Sequence, residues 1–299
     1  MASAPTTSSA GRGYAELIAR PRYLRYDTSV YDFVGLFKRD YARCEGDLSQ
    51  LHVAYADAVA EFGLLDDDEA ASNVLMKLHY DSALRGDFLQ LYRRFICDVI
   101  CPLFDEDVVF WQTKPTLRIA LPGNTALGTQ KAVNFTYMSE RTQRMIAARK
   151  GCTPGLPRLV GMHCDRDYGH PDGEVNFVLA LSAMRGNNTI VYEAHPPGSG
   201  KFTERVTQQF GSVFCNWFNQ IRHANTISTP DDDTRVSIDF RCIPASQWDP
   251  ASLRSGATLT AKMKYDEGSY FMRWTRPGSD AGGAGGAVGA GRAAAGGKL

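Results

Sequence analysis

Between Gly13 and Phe104 apolar residues recur at intervals of three and four, the repeat that returns side chains to one face of an α-helix. It is clearest over Asn73–Tyr80 (NVLMKLHY) and Asp87–Cys97 (DFLQLYRRFIC), so residues 13–104 read as a mostly helical N-terminal region. After Phe104 the pattern changes to short β-branched and aromatic runs, Thr116–Leu121, Glu174–Leu181 and Asn188–Glu193, separated by Gly, Pro and Asn. These read as closely spaced strands with few helical crossovers. Together they predict an α+β chain whose core, residues 105–276, is an antiparallel sandwich or barrel with the helices packed on one outer face.

Residues 1–12 read as a disordered leader, and 277–299, through GGAGGAVGAGRAAAGG, as a tail too poor in large apolar side chains to fold. One segment interrupts the strands. Residues 129–158 read as an insertion whose middle, Ser139–Gly151, has an N-capping serine and a terminal glycine and is expected to be an exposed basic helix. Its Arg141, Arg144, Arg149 and Lys150 suggest a lid that recruits an anionic or carboxylated substrate.

Composition narrows the partners. With 33 basic and 33 acidic residues there is no global field to draw the chain to nucleic acid or an anionic membrane, which leaves a small molecule as the expected partner. Seven scattered cysteines, an odd number without a zinc-type CxxC pair, fit reduced thiols and a cytoplasmic location. The Ser/Ala/Thr-rich opening keeps an organellar reading open, and the closing Gly297-Lys298-Leu299 a peroxisomal one. No apolar run reaches the ~20 residues of a membrane helix.

The tripeptide His163-Cys164-Asp165 carries the first chemical signal. On an extended segment alternate side chains share a face, so His163 and Asp165 can converge on one metal ion while Cys164 points away. A third ligand must come from another segment. Among the other histidines, His52 and His79 fall in the helical region and His170 and His195 in Gly/Pro-flanked loops, where no special role is expected. His223 closes the aromatic run Val213–Ile221 just ahead of a turn and another strand. Two imidazoles and one carboxylate form a facial triad with open coordination positions, the arrangement of non-haem Fe(II) oxygenases.

The next strand adds a second signal. In Thr234–Arg241, Val236, Ile238 and Phe240 share one face and Arg235, Ser237, Asp239 and Arg241 the other. A solvated polar face is the ordinary reading of such alternation. Just after a candidate ligand, however, Arg235 and Ser237 could grip a carboxylate together. Arg118 and Asn176 are further candidates for cosubstrate or substrate contact, Arg241 is expected to pair with Asp239, and Trp217 and Phe218 read as core.

The order His163-x-Asp165, His223, Arg235-x-Ser237 resembles the HxD…H…RxS signature of Fe(II)- and 2-oxoglutarate-dependent oxygenases. The stretches Pro115–Pro122, His163–Phe177 and His223–Arg241 resemble the StrG-like members typified by a streptomycin-biosynthesis protein. This resemblance implies a double-stranded β-helix of the jelly-roll type. It implies Fe(II) on His163, Asp165 and His223, and 2-oxoglutarate with its distal carboxylate on Arg235 and Ser237. It further implies O2-dependent decarboxylation of that cosubstrate to succinate, coupled to hydroxylation of a small polar metabolite. An acidic ligand at 165 leaves no vacancy for a halide, as a halogenase of this superfamily requires. The alternatives are a cupin-type dioxygenase or isomerase without 2-oxoglutarate, and a non-catalytic binding protein on the same barrel.

Overall fold

The computed structural model describes residues 13–39, 46–56, 86–120, 122, 163–201, 204–226, 232–250 and 265–279. The expected helix at Asn73–Tyr80, His79, the 129–158 insertion with its basic helix, the leader, and the tail beyond Ser279 lie outside these residues.

In the N-terminal region the helices are short: α1 (Tyr14–Ala19), α2 (Phe33–Lys38), α3 (Leu51–Ala54) and α4 (Asp87–Phe95). Asp32 starts α2 by accepting the Gly35 N–H at 2.8 Å, which satisfies one of the free donors of a first turn. In α4 the buried residues Phe88, Tyr92 and Phe95 recur at the helical interval, giving one apolar face. That face continues through the wider turn Ile96–Ile100 and the tight turn Cys101–Phe104. Among the described residues of this region one element is not helical: β1 (Arg22–Arg25) pairs antiparallel with β7 (Ser212–Asn216). Four residues after a proline carry too short a pattern to announce a strand, and the partner nearly 200 positions away supplies the hydrogen bonds that make it one.

The remaining strands among the described residues are β2 (Val108–Gln112), β3 (Thr116–Ala120), β4 (Val175–Ala180), β5 (Ile190–Tyr192), β6 (Glu204–Arg205), β8 (His223–Asn225), β9 (Arg235–Pro244) and β10 (Phe271–Thr275). A large antiparallel sheet runs β1-β7-β4-β9-β2-β10, with β3 also on β9. Strand β9 is long enough to take β3 and β2 end to end along one edge, with β4 on the other. A second sheet runs β6-β5-β8, extended by a bridge between His163 and His223.

Alternation sorts the large sheet into two faces. Leu117, Ile119, Phe177, Leu179, Val213, Cys215, Val236, Ile238, Phe240 and Cys242 join the helical residues in one core, with Phe240 stacked on Phe177 at 5.3 Å. On the other face Val178, Ala180 and Phe214 pack against Tyr192, Val206, Phe218 and Ile221, so the small sheet covers this side. The polar row of β9 is therefore enclosed: Arg235 is 2% exposed and Ser237 1%. The solvated-face reading of this alternation does not hold. Among the described residues no helix is long and apolar enough to cross a membrane.

Candidate metal and carboxylate site

His163 and His223 exchange both backbone hydrogen bonds, at 3.0 and 2.9 Å, which sets their side chains on one side of the extended small sheet. Their rings lie 4.3 Å apart. Cys164 is extended, but the chain then turns: Asp165–Tyr168 form one tight turn, closed by Gly169 at φ 83°. The Asp167 carboxylate accepts the Cys164 N–H at 2.8 Å, and the Asp165 N–H donates to Phe218 O at 3.0 Å. The result brings Asp165 Oδ1 to 3.6 Å from His163 Nε2 and 3.5 Å from His223 Nε2. The HxD segment is thus a bridge followed by a turn, where the sequence suggested a continuous strand. His223 likewise begins its own short strand; the aromatic run ends its strand at Asn216, and the chain turns through Trp217–Ile221 before reaching it.

The surroundings leave these groups able to hold a cation. His223 Nδ1 lies 3.1 Å from the Ile221 carbonyl. With Nδ1 donating there, Nε2 keeps its lone pair for the space shared with Asp165. Burial, reinforced by the neighbouring His163, lowers the His223 imidazole to about 3, and Phe218 stacks on its ring at 4.1 Å. Burial acts to raise the Asp165 carboxyl. The Arg241 guanidinium, and then the His163 contact, outweigh that effect and hold it well below the usual carboxylate range.

Asp165 Oδ2 is engaged separately. It accepts from Asn176 Nδ2 at 2.7 Å and from Arg241 Nη2 and Nε at 2.8 and 3.1 Å. Asn176 and Arg241 are direct cross-strand partners on β4 and β9. This changes two expectations. Arg241 approaches Asp165 more closely than Asp239, which lies 3.6 Å away, because its side chain crosses to the turn that carries Asp165. Asn176, expected among the cosubstrate contacts, gives its N–H to Asp165.

Arg235 lies at the other end of the same polar row. One nitrogen, Nη2, donates to Asn225 Oδ1 at 2.7 Å. Asn225 stands two residues beyond His223 on β8, hence on the same face and about 7 Å further along. Arg235 Nε and Nη1 are buried without a hydrogen-bond partner among the described residues. Burial, then the nearby Arg118, pulls this guanidinium down to about 10. Ser237 is buried two positions on, directly opposite Arg118 of β3. Arg118 differs from both, since it keeps 47% of its side chain exposed and pairs with Asp239 at 2.8 Å.

The other histidines are only partly as expected. His52 packs through Nδ1 against Thr234 Oγ1 at 2.8 Å. His170 is no idle loop residue: it contacts the fully buried Glu174 at 3.0 Å and the Tyr265 hydroxyl at 3.1 Å. His195 Nε2 lies 3.0 Å from Asn216 Oδ1. Glu174 and His170 were missed as site neighbours. The only signal was a carboxylate immediately before an apolar strand, which is common at strand ends.

No protein-family model matches the chain. It is 27% identical over 229 residues to the streptomycin biosynthesis protein StrG of Streptomyces griseus, covering 72% of this chain and 90% of that protein. The motif-level resemblance to StrG thus extends over most of the sequence. Among solved structures, it is similar to the non-heme monooxygenase ThoJ (15% identity, 81% of this chain and 92% of that one, TM-score 0.38). It is also similar to HygX of Streptomyces hygroscopicus with nickel and 2-oxoglutarate bound (13% identity, 79% and 86%, TM-score 0.27). A third is the non-heme alpha ketoglutarate dependent epimerase SnoN from nogalamycin biosynthesis (12%, 86% and 92%, TM-score 0.36).

Proposed function

We propose that this chain, similar to StrG over nine-tenths of that protein's length, is an Fe(II)- and 2-oxoglutarate-dependent oxygenase that hydroxylates a small polar metabolite. Its two-sheet core is read as a double-stranded β-helix. The observation that carries this reading is the unmatched charge of Arg235. Arg241 is balanced by Asp165 and Glu174, and Arg118 by Asp239, whereas the described partner of Arg235 is a neutral amide, leaving Nε and Nη1 without acceptors. A buried guanidinium without a counter-charge is costly. A bound carboxylate would supply both the charge and the acceptors.

The residues fit the implied groups. His163 Nε2, His223 Nε2 and Asp165 Oδ1 are two imidazole nitrogens and one carboxylate oxygen converging on one point, a donor set suited to Fe(II). Arg235 and Ser237 face the same inter-sheet space, displaced from that point by about two strand residues, a separation that suits a short dicarboxylate. Bound there, Fe(II) and 2-oxoglutarate would supply activation of O2, coupled to loss of CO2 and formation of succinate.

The chain's own residues do the rest. Arg235 and Ser237 hold the distal carboxylate and so fix the cosubstrate's orientation. Asn225 steadies Arg235 while His223, on the same strand face, stays fixed beside the metal position. Phe218, Tyr192 and Phe214 supply an apolar wall that limits water. Arg118, exposed at the rim of the polar row, is available to an anionic group on the substrate.

Anaerobic titration of the Fe(II)-loaded protein with 2-oxoglutarate tests the assignment. Chelation gives a visible charge-transfer band; iron bound without such a band sinks the cosubstrate and favours a cupin-type enzyme that does not use it. Incubation with 2-oxoglutarate and a metabolite extract should then yield products heavier by one oxygen, and a product lacking two hydrogens instead would replace hydroxylation by desaturation or ring closure.

A further inference from the structure

We infer that Arg241 is a built-in cation that, with Asn176, clamps one oxygen of Asp165 and restricts this carboxylate to a single metal-binding oxygen. The inference rests on the metal reading above and concerns residues which that reading leaves unused. Among the described residues two clusters have the side chains of a metal site, His163–Asp165–His223 and Asp165–His170–Glu174, and they share Asp165. The second cluster already contains a cation. Arg241 Nη2 lies 2.8 Å from Asp165 Oδ2, and its Nε lies 3.4 Å from Glu174 Oε2. A metal ion entering there would meet a buried guanidinium.

The consequence for Asp165 follows from lone-pair counting. A carboxylate oxygen accepts along about two in-plane directions, and Oδ2 receives three N–H donors, from Asn176 Nδ2 and from Arg241 Nη2 and Nε. None is left for a metal. Oδ1 is turned toward the two imidazoles. His163, His223 and Asp165 Oδ1 would then hold the ion through three donor atoms, and a second oxygen from Asp165 would compete with the cosubstrate for the rest of its coordination. Arg241 is held for this task on its other side: Nη1 lies 3.4 Å from Gln112 Oε1 and 3.5 Å from the Tyr270 hydroxyl. Glu174, fully buried and braced by His170, lies 3.4 Å from Arg241 Nε and would balance the Arg241 charge were that of Asp165 committed to an ion.

The test is anaerobic titration of the purified full chain with Co(II), which binds such donor sets and reports its coordination by visible absorption. The comparison is wild type against Arg241→Lys, which keeps the charge and loses the fork, and against Asn176→Ala. One Co(II) per wild-type chain is expected. Each variant is expected to bind roughly 10–100-fold more weakly with an altered band shape. The double variant should lose less than the product of the two single losses, because both substitutions act on Oδ2. Thermal denaturation is run in parallel, since a merely structural role would lower Tm while leaving the Co(II) Kd and spectrum of the folded protein unchanged, and that result overturns the clamp. Two ions per wild-type chain also overturn it. If Arg241→Lys fails to fold, Asn176→Ala alone decides. A wild-type chain that binds no Co(II) overturns the metal reading together with the clamp, whereas wild-type binding matched by both variants overturns the clamp alone.

Discussion

His163 and His223 are sixty residues apart in sequence and form one hydrogen-bonded β-pair, each amide donating to the other's carbonyl at 3.0 and 2.9 Å. This pair, more than either histidine alone, defines the candidate metal position, because it orients both imidazoles toward Asp165 Oδ1.

Replacement of His223 by Ala removes one of the three candidate donors while leaving the backbone pair available. We expect Co(II) binding and 2-oxoglutarate-dependent succinate formation without substrate to fall to background. Succinate release at the wild-type rate would contradict the assignment of His223.

Arg235→Met should separate function from stability. Truncating one member of a buried charge pair costs about 2–5 kcal/mol, so 2-oxoglutarate should bind at least about 30-fold more weakly. In the ligand-free protein the same change removes a buried, partly unsatisfied guanidinium and should keep or raise Tm. Differential scanning with and without 2-oxoglutarate measures both, and the ligand-induced rise in Tm should be clearly smaller in the variant than in the wild type.

The buried His223 imidazole gives a pH signature in the metal-free protein. Its folded value, about 3, lies below the ~6.5 of an unfolded histidine, so on acidification the unfolded chain binds this proton first. The contribution of His223 is fully present above about 6.5 and is lost as pH falls toward 3. Denaturant unfolding at stepped pH should show stability declining across this window, and His223→Leu should flatten the decline. An unchanged slope in that variant would assign the acid sensitivity elsewhere.

On the opposite face of β9, Phe240 stacks on Phe177 at 5.3 Å and meets Tyr92 edge-on at 5.5 Å. Phe240→Ala should cost about 3–5 kcal/mol, read as a shift of the urea midpoint. The half-exposed ion pair of Arg118 and Asp239 should contribute under about 1 kcal/mol. Arg118→Gln is therefore expected to leave the urea midpoint and 2-oxoglutarate binding near wild type, and to raise KM for an anionic substrate.

Much of the site's vocabulary was legible in the chain. The alternation of Thr234–Arg241 assigned Arg235 and Ser237 to one face and Val236, Ile238 and Phe240 to the other, because strand periodicity is a local property. Whether that polar face met water or protein was not legible, since its cover is the small sheet, whose Asn225 reaches Arg235. Strand β1 was unreadable for a similar reason: four residues have too little pattern, and their hydrogen bonds come from Val213 and its neighbours. His170 gave the same difficulty. Its Gly/Pro-flanked loop suggested exposure, yet Glu174 and Tyr265 converge on it from two other segments.

By itself the sequence determined the residue types of the candidate donor set, their order, and the face on which each strand residue stands, because backbone period and side-chain chemistry are fixed locally. Only the tertiary structure decided the partners. The β-pairing of His163 with His223 gave the imidazoles a common direction, and the crossing of Arg241 from the large sheet to the Asp165 turn, rather than to Asp239 alone, committed one oxygen of Asp165 to hydrogen bonds. Such choices depend on which strands lie side by side, and that is settled by burying the whole apolar face of the sheet against the helices, a long-range effect that no short stretch of chain carries.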